Sequence, residues 1–306
     1  MLGSSLERVI RASDQECVIL NSVKIDWNSL ERASLHIRSG VEEFARLSAN
    51  ENWCLYWCAG TGTVVSDAQK LSNEVVLVSV LVQALREYFG ERLKNGHLFF
   101  ASSAGGIYAG CPAAPMNENS QVHPMNAYGE QKVKIEEVLT NFAKQDGLRV
   151  LIGRIANLYG LNQNKQKGQG LITSMCLSTL LRRPISIYVG LETIRNYIDV
   201  DDASTCILRS MRISNSGDFD VAVTKIIASD FNHSISTVLK ECEVVFGRRL
   251  QVSTSRTDAK ALHPVDLSMR SVNLPEADEF EHISLVAGIN KVRLGLLKEI
   301  QSGTLL

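Results

Sequence analysis

The sequence lacks an excess of charge of either sign. Lysine and arginine number 32 against 33 aspartate and glutamate, which gives a net charge of -1 over 306 residues. Proteins that hold nucleic acids or anionic membranes through charge need a basic surplus, because they must neutralise phosphate groups. We therefore expect neither a nucleic-acid partner nor attachment to a membrane surface.

Long apolar runs are missing as well. A membrane-spanning helix needs about 20 apolar residues, and the nearest candidate, residues 75–85, is short and interrupted by Ser79 and Gln83. A secretory signal has a basic segment followed by an apolar one. The opening MLGSSLERVI lacks this pattern. We expect a cytoplasmic protein.

The cysteines and histidines show no metal-binding pattern. Seven cysteines are scattered along the chain, and without a secretory signal we expect reduced thiols. Cys54 and Cys58 flank a strand-like run with no accompanying Cys or His pair. We interpret them as small buried apolar side chains rather than metal ligands. The six histidines form no HxxxH pair, and we predict no metal.

The composition, 45% hydrophobic and 21% charged, is that of a globular chain, and its length fits two lobes or one large unit. Strand-like and helix-like segments alternate in the first half, which predicts an α/β fold with a doubly wound parallel sheet. The polar stretch LNQNKQKGQG, residues 161–170, predicts a lobe boundary. Strands are predicted at 17–22, 23–27, 54–59 (a fully buried strand), 98–101 and 149–155, and helices at 41–47, 75–89 and 127–145.

Tyr128 and Lys132 carry the most chemical information. Four residues apart on a predicted helix, they share one face. A tyrosine hydroxyl with a pKa of about 10 is a poor proton-transfer group at neutral pH. A nearby ammonium group favours the phenolate, so Tyr128 is a candidate general acid/base. On its own the pattern is weak, because a surface Tyr–Lys pair on a helix is the commoner interpretation.

Ser102 and Ser103 strengthen the hypothesis that Tyr128 is a general acid/base. They end a predicted buried strand some distance upstream of Tyr128, where a hydroxyl could bind the same substrate oxygen. Serines at such a place are more often turn formers. However, a serine turn at the carboxyl end of a parallel strand and a tyrosine opening the next helix both lie where α/β sheets bind ligands.

These segments resemble the extended short-chain dehydrogenase/reductases, specifically the NAD-dependent nucleotide-sugar epimerase/dehydratase group. The resemblance covers nearly the whole chain and rests on FFASSAGGIYAG, PMNAYGEQK, GRIANLYG and RNYIDVDDAS in order and spacing. It implies a Rossmann-like NAD(P)-binding domain at residues 1–160, with a returning segment at about 196–226. Residues 161–306 would mainly form a smaller substrate lobe. It also implies a homodimer and an NAD cofactor, with NADP as the alternative.

The resemblance assigns roles to individual residues. Tyr128 would be the acid/base, Lys132 would promote its ionisation and hold the nicotinamide ribose, and Ser103 would bind the reacting oxygen. Many relatives carry that Ser or Thr where this chain has Ala104. Ser103 is one position from that place, and Ser102 is the second candidate.

Two further positions match the family's substrate contacts. Asn157 would contact the substrate and Arg195 its diphosphate, a task that suits a bidentate guanidinium. From spacing alone, a salt bridge from Arg195 to Asp199, Asp201 or Asp202 is equally plausible. Asn196 stands where the family usually has Asp.

The amino terminus departs from the family pattern. Relatives bind the NAD pyrophosphate at G-x-x-G-x-x-G between the first strand and helix. Here LGSSLERVI resembles the end of that motif, with Gly3 as its last glycine. We expect that about ten residues, the first strand and two glycines, would precede Met1 in a complete fold. Ala59, Gly60 and Gly62 resemble the next cofactor-lining turn; the alternative is that the glycines are simple turn formers.

The resulting hypothesis is an NAD(P)-dependent epimerase, or related oxidoreductase, that acts on a nucleotide-activated sugar. The residue pair Ala104 and Gly105 offers no acidic partners of the kind that family dehydratases use, so an epimerase or reductase is favoured. Two alternatives stay open. One is a degenerate family member that binds a nucleotide without turnover, and the other is an NAD(P)H-dependent sugar or ketone reductase.

Overall fold

The computed structural model describes residues 1–13, 18–20, 24–49, 51–60, 62, 66–163, 170–215, 219–254 and 264–304. Within them the helices are α1 (Leu2–Ser13), α2 (Leu30–Ser48), α3 (Ala68–Phe89), α4 (Ala104–Ile107), α5 (Ala127–Asp146), α6 (Leu171–Leu180), α7 (Val200–Asn215), α8 (Ile235–Phe246) and α9 (Leu285–Gln301). The strands are β1 (Trp53–Trp57), β2 (Gly96–Ser103), β3 (Arg149–Ile155), β4 (Asn157–Tyr159), β5 (Ile185–Ile187), β6 (Ile194–Asp199), β7 (Ala222–Ile227), β8 (Asn232–Ser234), β9 (Val252–Thr254) and β10 (Asp266–Leu267).

The central sheet contains four parallel strands in the order β1-β2-β3-β7. Successive side chains of a strand point to opposite faces, and both faces are covered. Leu98 and Phe100 of β2 pack among apolar residues of α2, α3 and α5. Phe99 between them packs with residues of α1 and α7. The predicted parallel α/β fold is confirmed, as are the strand at 149–155 and the helix at 127–145.

Strand β1 is less buried than the sequence indicates. Cys54 is exposed and Leu55 and Tyr56 are half-buried, so the prediction of a fully buried strand is wrong. In the described part of the chain β1 pairs with β2 alone, and a strand that lacks a second neighbour keeps one side accessible.

The two strands predicted before β1 are absent where the structure describes those segments. Residues 18–20 and 24–27 are not in strands, and Val18 is 83% exposed. A strand needs a hydrogen-bonded neighbour to persist, and no described strand lies beside them. The rest of these predicted segments falls outside the described residues.

A second group of elements follows the central sheet. Strands β10, β6 and β4 run parallel, and β8 pairs antiparallel with β6. Strands β5 and β9 form a separate parallel pair. Helices α6, α8 and α9 pack on these strands around an apolar cluster that includes Met175, Val238 and Ile289. The described helices include none that combines the length and apolarity needed to cross a membrane.

A buried lysine ties the carboxyl-terminal segment to the central sheet. The side chain of Lys225, in β7, is 0% exposed, and its Nζ lies 2.7 Å from Asp278 Oδ2. Nζ also donates to Ser271 Oγ at 2.9 Å and to the Asn273 carbonyl at 2.8 Å. These acceptors satisfy a charge that would otherwise be very costly to bury.

Candidate active site

Helix α5 places Tyr128 and Lys132 at the carboxyl edge of the central sheet. Its first turn is fixed by Asn126, whose side chain accepts a hydrogen bond from the Gly129 N–H at 3.0 Å. A Cβ on Gly129 would lie 2.1 Å from the Gly106 carbonyl oxygen, so only glycine permits this approach. The beginning of α5 is therefore held against α4, the short helix that follows β2.

Tyr128 lies beside the turn that contains Ser103. A Cβ on Gly106 would lie 3.0 Å from Tyr128 Cε1 and 3.3 Å from Ser103 Oγ, so both side chains border this one glycine. Ser103 Oγ caps α4 by accepting from the Gly106 N–H at 3.2 Å. Ala104, where many relatives carry Ser or Thr, is fully buried. Of the two candidate serines, Ser103 therefore has its hydroxyl beside Tyr128.

Lys132 is buried and ion-paired. Its Nζ lies 2.7 Å from Glu74 Oε1 of α3, and both side chains are 7% exposed. The same ammonium lies 5.6 Å from the ring centroid of Tyr128 and 5.1 Å from that of Phe100. Burial lowers the pKa of Lys132, but its electrostatic interactions with Tyr128, Glu74 and Glu136 and its hydrogen bond to Glu74 raise it by more, so the net shift is upward. Lys132 thus stays charged next to Tyr128.

The predicted cofactor-lining turn follows β1 and faces the same carboxylate. A Cβ on Gly60 would lie 2.8 Å from Glu74 Oε1, and one on Gly62 would lie 2.8 Å from Oε2 and 3.7 Å from Tyr128 Cδ2. Ala59 precedes these glycines and is half-buried. The turn therefore packs directly against the Lys132–Glu74 pair. The remaining predicted cofactor contact is Gly3, at the start of α1. A Cβ on Gly3 would lie 3.8 Å from the Cys58 Cβ.

Ser102 belongs to a neighbouring buried network. Its Oγ lies 2.5 Å from Glu136 Oε1, which is also bound by Arg154. Arg154 Nη2 donates to Glu136 Oε2 at 2.7 Å, and Nη1 donates to the Tyr108 hydroxyl at 2.5 Å. Burial raises the pKa of Tyr108 even though Arg154 opposes that shift. The Ser102 hydroxyl is thus engaged by Glu136 inside the protein.

Asn157 follows the carboxyl end of β3 and contacts Asn196, the neighbour of Arg195 in β6. Ile155, the last residue of β3, is in register with Ser103, and Asn157 follows two residues later. Asn157 Nδ2 donates to the Asn196 carbonyl at 2.9 Å. In the described residues Arg195 forms no ion pair; its Nη1 donates to the Ile194 carbonyl at 2.7 Å. Burial lowers the pKa of Arg195.

The three aspartates named above as alternative partners of Arg195 are held by other groups. Lys291 Nζ lies 2.7 Å from Asp199 Oδ1 and 2.6 Å from Asp201 Oδ2. Asp202 accepts the Ile283 N–H at 2.8 Å. The salt-bridge interpretation of Arg195 is therefore wrong for these partners. Asn196 is structural, because its amide bonds Ser229 through both its oxygen and its nitrogen at 2.9 Å.

Glu74 and Glu136 are the site residues that the sequence analysis missed. Glu136 stands one turn after Lys132, so Tyr128, Lys132 and Glu136 share a face at a spacing of four. Glu74 is buried on the apolar face of α3, between Leu71 and Leu77. An acidic residue at an apolar helical position is a signal that could have identified it.

The described residues contain no group of three or more His, Cys, Asp or Glu side chains that could hold a metal ion. The groups that meet at this edge are a phenol, an ammonium, a serine hydroxyl and a glycine turn. Such a set can bind a polar ligand and move a proton.

Residues 1–222 match the model of the NAD dependent epimerase/dehydratase family. The chain belongs to this family. The resemblance found in the sequence is confirmed, and so is the Rossmann-like parallel fold.

Curated relatives in the family match a limited stretch of the chain. A putative UDP-glucose 4-epimerase of Methanocaldococcus jannaschii is 27% identical over 137 residues, which are 44% of this chain and 43% of that protein. A dTDP-4-dehydro-6-deoxyglucose reductase of Escherichia coli is 30% identical over 133 residues, 43% of this chain and 42% of that protein. Each match spans less than half of the relative's length.

Solved structures of family enzymes share the fold over nearly the whole chain. The UDP-glucose 4-epimerase of Thermotoga maritima, solved with UDP-glucose, has a TM-score of 0.74 at 19% identity and covers 98% of this chain and 96% of its own. The dTDP-glucose 4,6-dehydratase of Bacillus anthracis, solved with NAD, has a TM-score of 0.75 at 13% identity, with coverages of 98% and 94%. At these identities the likeness shows the fold alone.

Proposed function

We propose that this chain is an NAD(P)-dependent epimerase, or a related oxidoreductase, that acts on a nucleotide-activated sugar. The observation that carries the proposal is the placement of Tyr128 between the Ser103 turn and the buried Lys132 ammonium. Membership of the family and the activities of its epimerase and reductase relatives support the reaction class.

Each side chain has a defined task in this proposal. Tyr128 takes the proton from a sugar hydroxyl during oxidation and returns it during reduction. Lys132 favours the phenolate by charge. Ser103 donates a hydrogen bond to the reacting oxygen, while Asn157 and Arg195 hold the substrate through an amide and a guanidinium.

The glycine turn and Lys132 fit a nicotinamide cofactor. Gly60 and Gly62 present backbone without side chains beside the Lys132–Glu74 pair, and an ammonium has three donors, of which Glu74 uses one. Lys132 and this turn would hold the nicotinamide ribose. A bound nicotinamide supplies the hydride acceptor and donor that no side chain can provide.

Replacement of Tyr128 by Phe tests the proposal. The wild-type chain with NAD is incubated with UDP-glucose and a panel of other UDP- and dTDP-sugars, and products are followed by NMR. We expect Tyr128→Phe to reduce turnover at least about 100-fold, since general acid/base groups contribute about that much or more. Tyr88→Phe, the same change on α3, is the control and should retain activity.

The outcome also separates the alternatives. Turnover of Tyr128→Phe within tenfold of wild type would contradict the role of Tyr128. A reductase would consume reduced cofactor in proportion to product, whereas an epimerase would not. Calorimetry that detects no binding of NAD or NADP would favour a degenerate nucleotide-binding protein. The homodimer that we also propose is tested by sedimentation of the full chain.

A further inference from the structure

A buried carboxylate faces the proposed catalytic lysine from the opposite helix. Glu74 occupies a position on α3 whose neighbours on the same face, Leu71, Leu77 and Val78, are all buried. Its Oε1 lies 2.7 Å from Lys132 Nζ. Its carboxylate also contacts the glycine turn, because Cβ atoms on Gly60 and Gly62 would each lie 2.8 Å from a Glu74 oxygen.

We propose that Glu74 is a positioning residue that holds the Lys132 ammonium and opposes the formation of the Tyr128 phenolate. This inference rests on the proposed role of Tyr128 as the acid/base. The carboxylate neutralises part of the field that Lys132 exerts on the phenol, and it draws the ammonium toward α3. Glu74 thereby determines the pH at which Tyr128 becomes able to accept a proton.

Stability alone does not account for a glutamate at this place. A buried ion pair adds little net stability compared with apolar side chains of similar size, because both charges lose their hydration. The apolar surroundings of Glu74 on α3 would accept such a side chain. The pair nevertheless lies beside both the glycine turn and Tyr128, and a charge there acts on the phenol through a poorly hydrated region, where charges interact strongly.

The charges around this pair come from three elements. Glu74 reaches Lys132 from α3, and Tyr128 and Glu136 act on it from α5 itself. Glu136 is already bound by Arg154 of β3, so its charge is largely compensated. From β2, the aromatic ring of Phe100 faces Lys132 and carries no charge. Glu74 is thus the carboxylate that directly opposes Lys132.

The test compares Glu74→Gln with wild type. Glutamine keeps the size of the side chain and an oxygen that can accept from Lys132, but it removes the charge. Tyrosine ionisation is followed by ultraviolet absorbance, and the Tyr128 contribution is isolated by subtracting the same titration of a Tyr128→Phe partner. We expect the Tyr128 phenolate to form at a pH lower by about one unit or more in Glu74→Gln, a tenfold change in its ionisation equilibrium.

Two further variants make the result specific. Glu87→Gln makes the same change on α3 at a pair with Arg38 that is exposed, and it should titrate as wild type. Glu74→Asp keeps the charge but withdraws it by one methylene, so its shift should have the same direction and a smaller size. Should Glu74→Gln fail to fold, the Asp variant carries the test.

The outcomes also separate this inference from the proposed function. An unchanged Tyr128 titration in folded Glu74→Gln and Glu74→Asp overturns the inference, whatever their turnover. A shifted titration in a chain without turnover supports the inference and counts against the proposed function. With turnover present, the alkaline rise of the rate should move to lower pH together with the titration.

Discussion

Two buried clusters on one face of α5 differ in how completely their charges are satisfied. Glu136 is bound by Ser102 and by Arg154, which also donates to the Tyr108 hydroxyl. One turn earlier, Lys132 has one carboxylate partner among the described residues, Glu74, and lies beside a glycine turn. A saturated network stabilises a single arrangement. An ammonium whose donors are not all used by the described residues, next to backbone without side chains, suits ligand binding.

The largest effect should come from breaking the saturated cluster. Arg154→Met leaves the Glu136 carboxylate, 8% exposed, without its cation. We expect a loss of about 3–5 kcal/mol in the free energy of unfolding, measured by urea denaturation, because an uncompensated buried charge remains. Arg11→Met breaks an exposed pair with Glu7 and should cost less than about 1 kcal/mol. Equal losses for the two variants would invalidate the comparison.

A buried group outside these two clusters, His97, should control acid sensitivity. Burial, helped by Arg149, lowers the pKa of His97 from 6.5 to about 4. Since the folded-state pKa lies below the unfolded value, the unfolded chain binds the proton first, and stability falls as the pH drops from about 6.5 to 4. The loss attributable to His97 over that interval is about 3 kcal/mol.

The test is His97→Gln, which removes the titration. The unfolding free energy of this variant between pH 7 and pH 4.5 should decline less than that of wild type, by about 2–3 kcal/mol. Parallel declines in the two proteins would mean that acid sensitivity arises elsewhere, for example in the paired carboxylates of the two clusters.

Alanine substitutions of the two adjacent serines should distinguish the two clusters, with smaller effects on stability. Ser102→Ala removes a hydrogen bond to the Glu136 carboxylate and should cost about 2 kcal/mol of stability with turnover retained. Ser103→Ala removes the cap of α4 and should cost about 1 kcal/mol, but we expect a marked loss of turnover. Loss of turnover in Ser102→Ala with turnover retained in Ser103→Ala would indicate that Ser102 is the substrate-binding hydroxyl.

The smallest effect on stability, below about 1 kcal/mol, is expected for Gly106→Ala. The added methyl would meet the Tyr128 ring at 3.0 Å and Ser103 Oγ at 3.3 Å, so both must shift by a few tenths of an ångström. Displacement of a reacting group by such amounts should lower turnover about tenfold or more. Gly105→Ala has open space around it and serves as the matched control. Equal activity of the two variants would show that Tyr128 need not be fixed against this turn.

Local patterns in the sequence predicted the elements that position the site. Helix α5 could be predicted because Ile135, Leu139 and Phe142 recur at helical spacing and Gly147 follows them. In the structure Gly147 ends the helix at a φ of 72°. Strands β2 and β3 could be predicted because they are covered on both faces and therefore read as continuous apolar runs.

The errors and omissions concern tertiary neighbours. The burial of β1 depends on whether another strand lies on its second side. The five residues of β1 do not reveal by themselves whether such a strand is present. The contact between Glu74 and Lys132 joins residues 58 positions apart, so neither residue indicates its partner locally. Ser102 and Ser103 are equivalent in sequence, and only the side of the strand to which each points separates them.

The burial of Lys225 has a consequence for the order in which the chain can fold during synthesis. Its acceptors, Ser271, Asn273 and Asp278, are translated some fifty residues after it. Until they leave the ribosome, docking β7 on β3 would bury an ammonium without partners. We expect β1, β2 and β3 to assemble during translation, whereas the fourth strand joins them only when residues 271–278 have emerged.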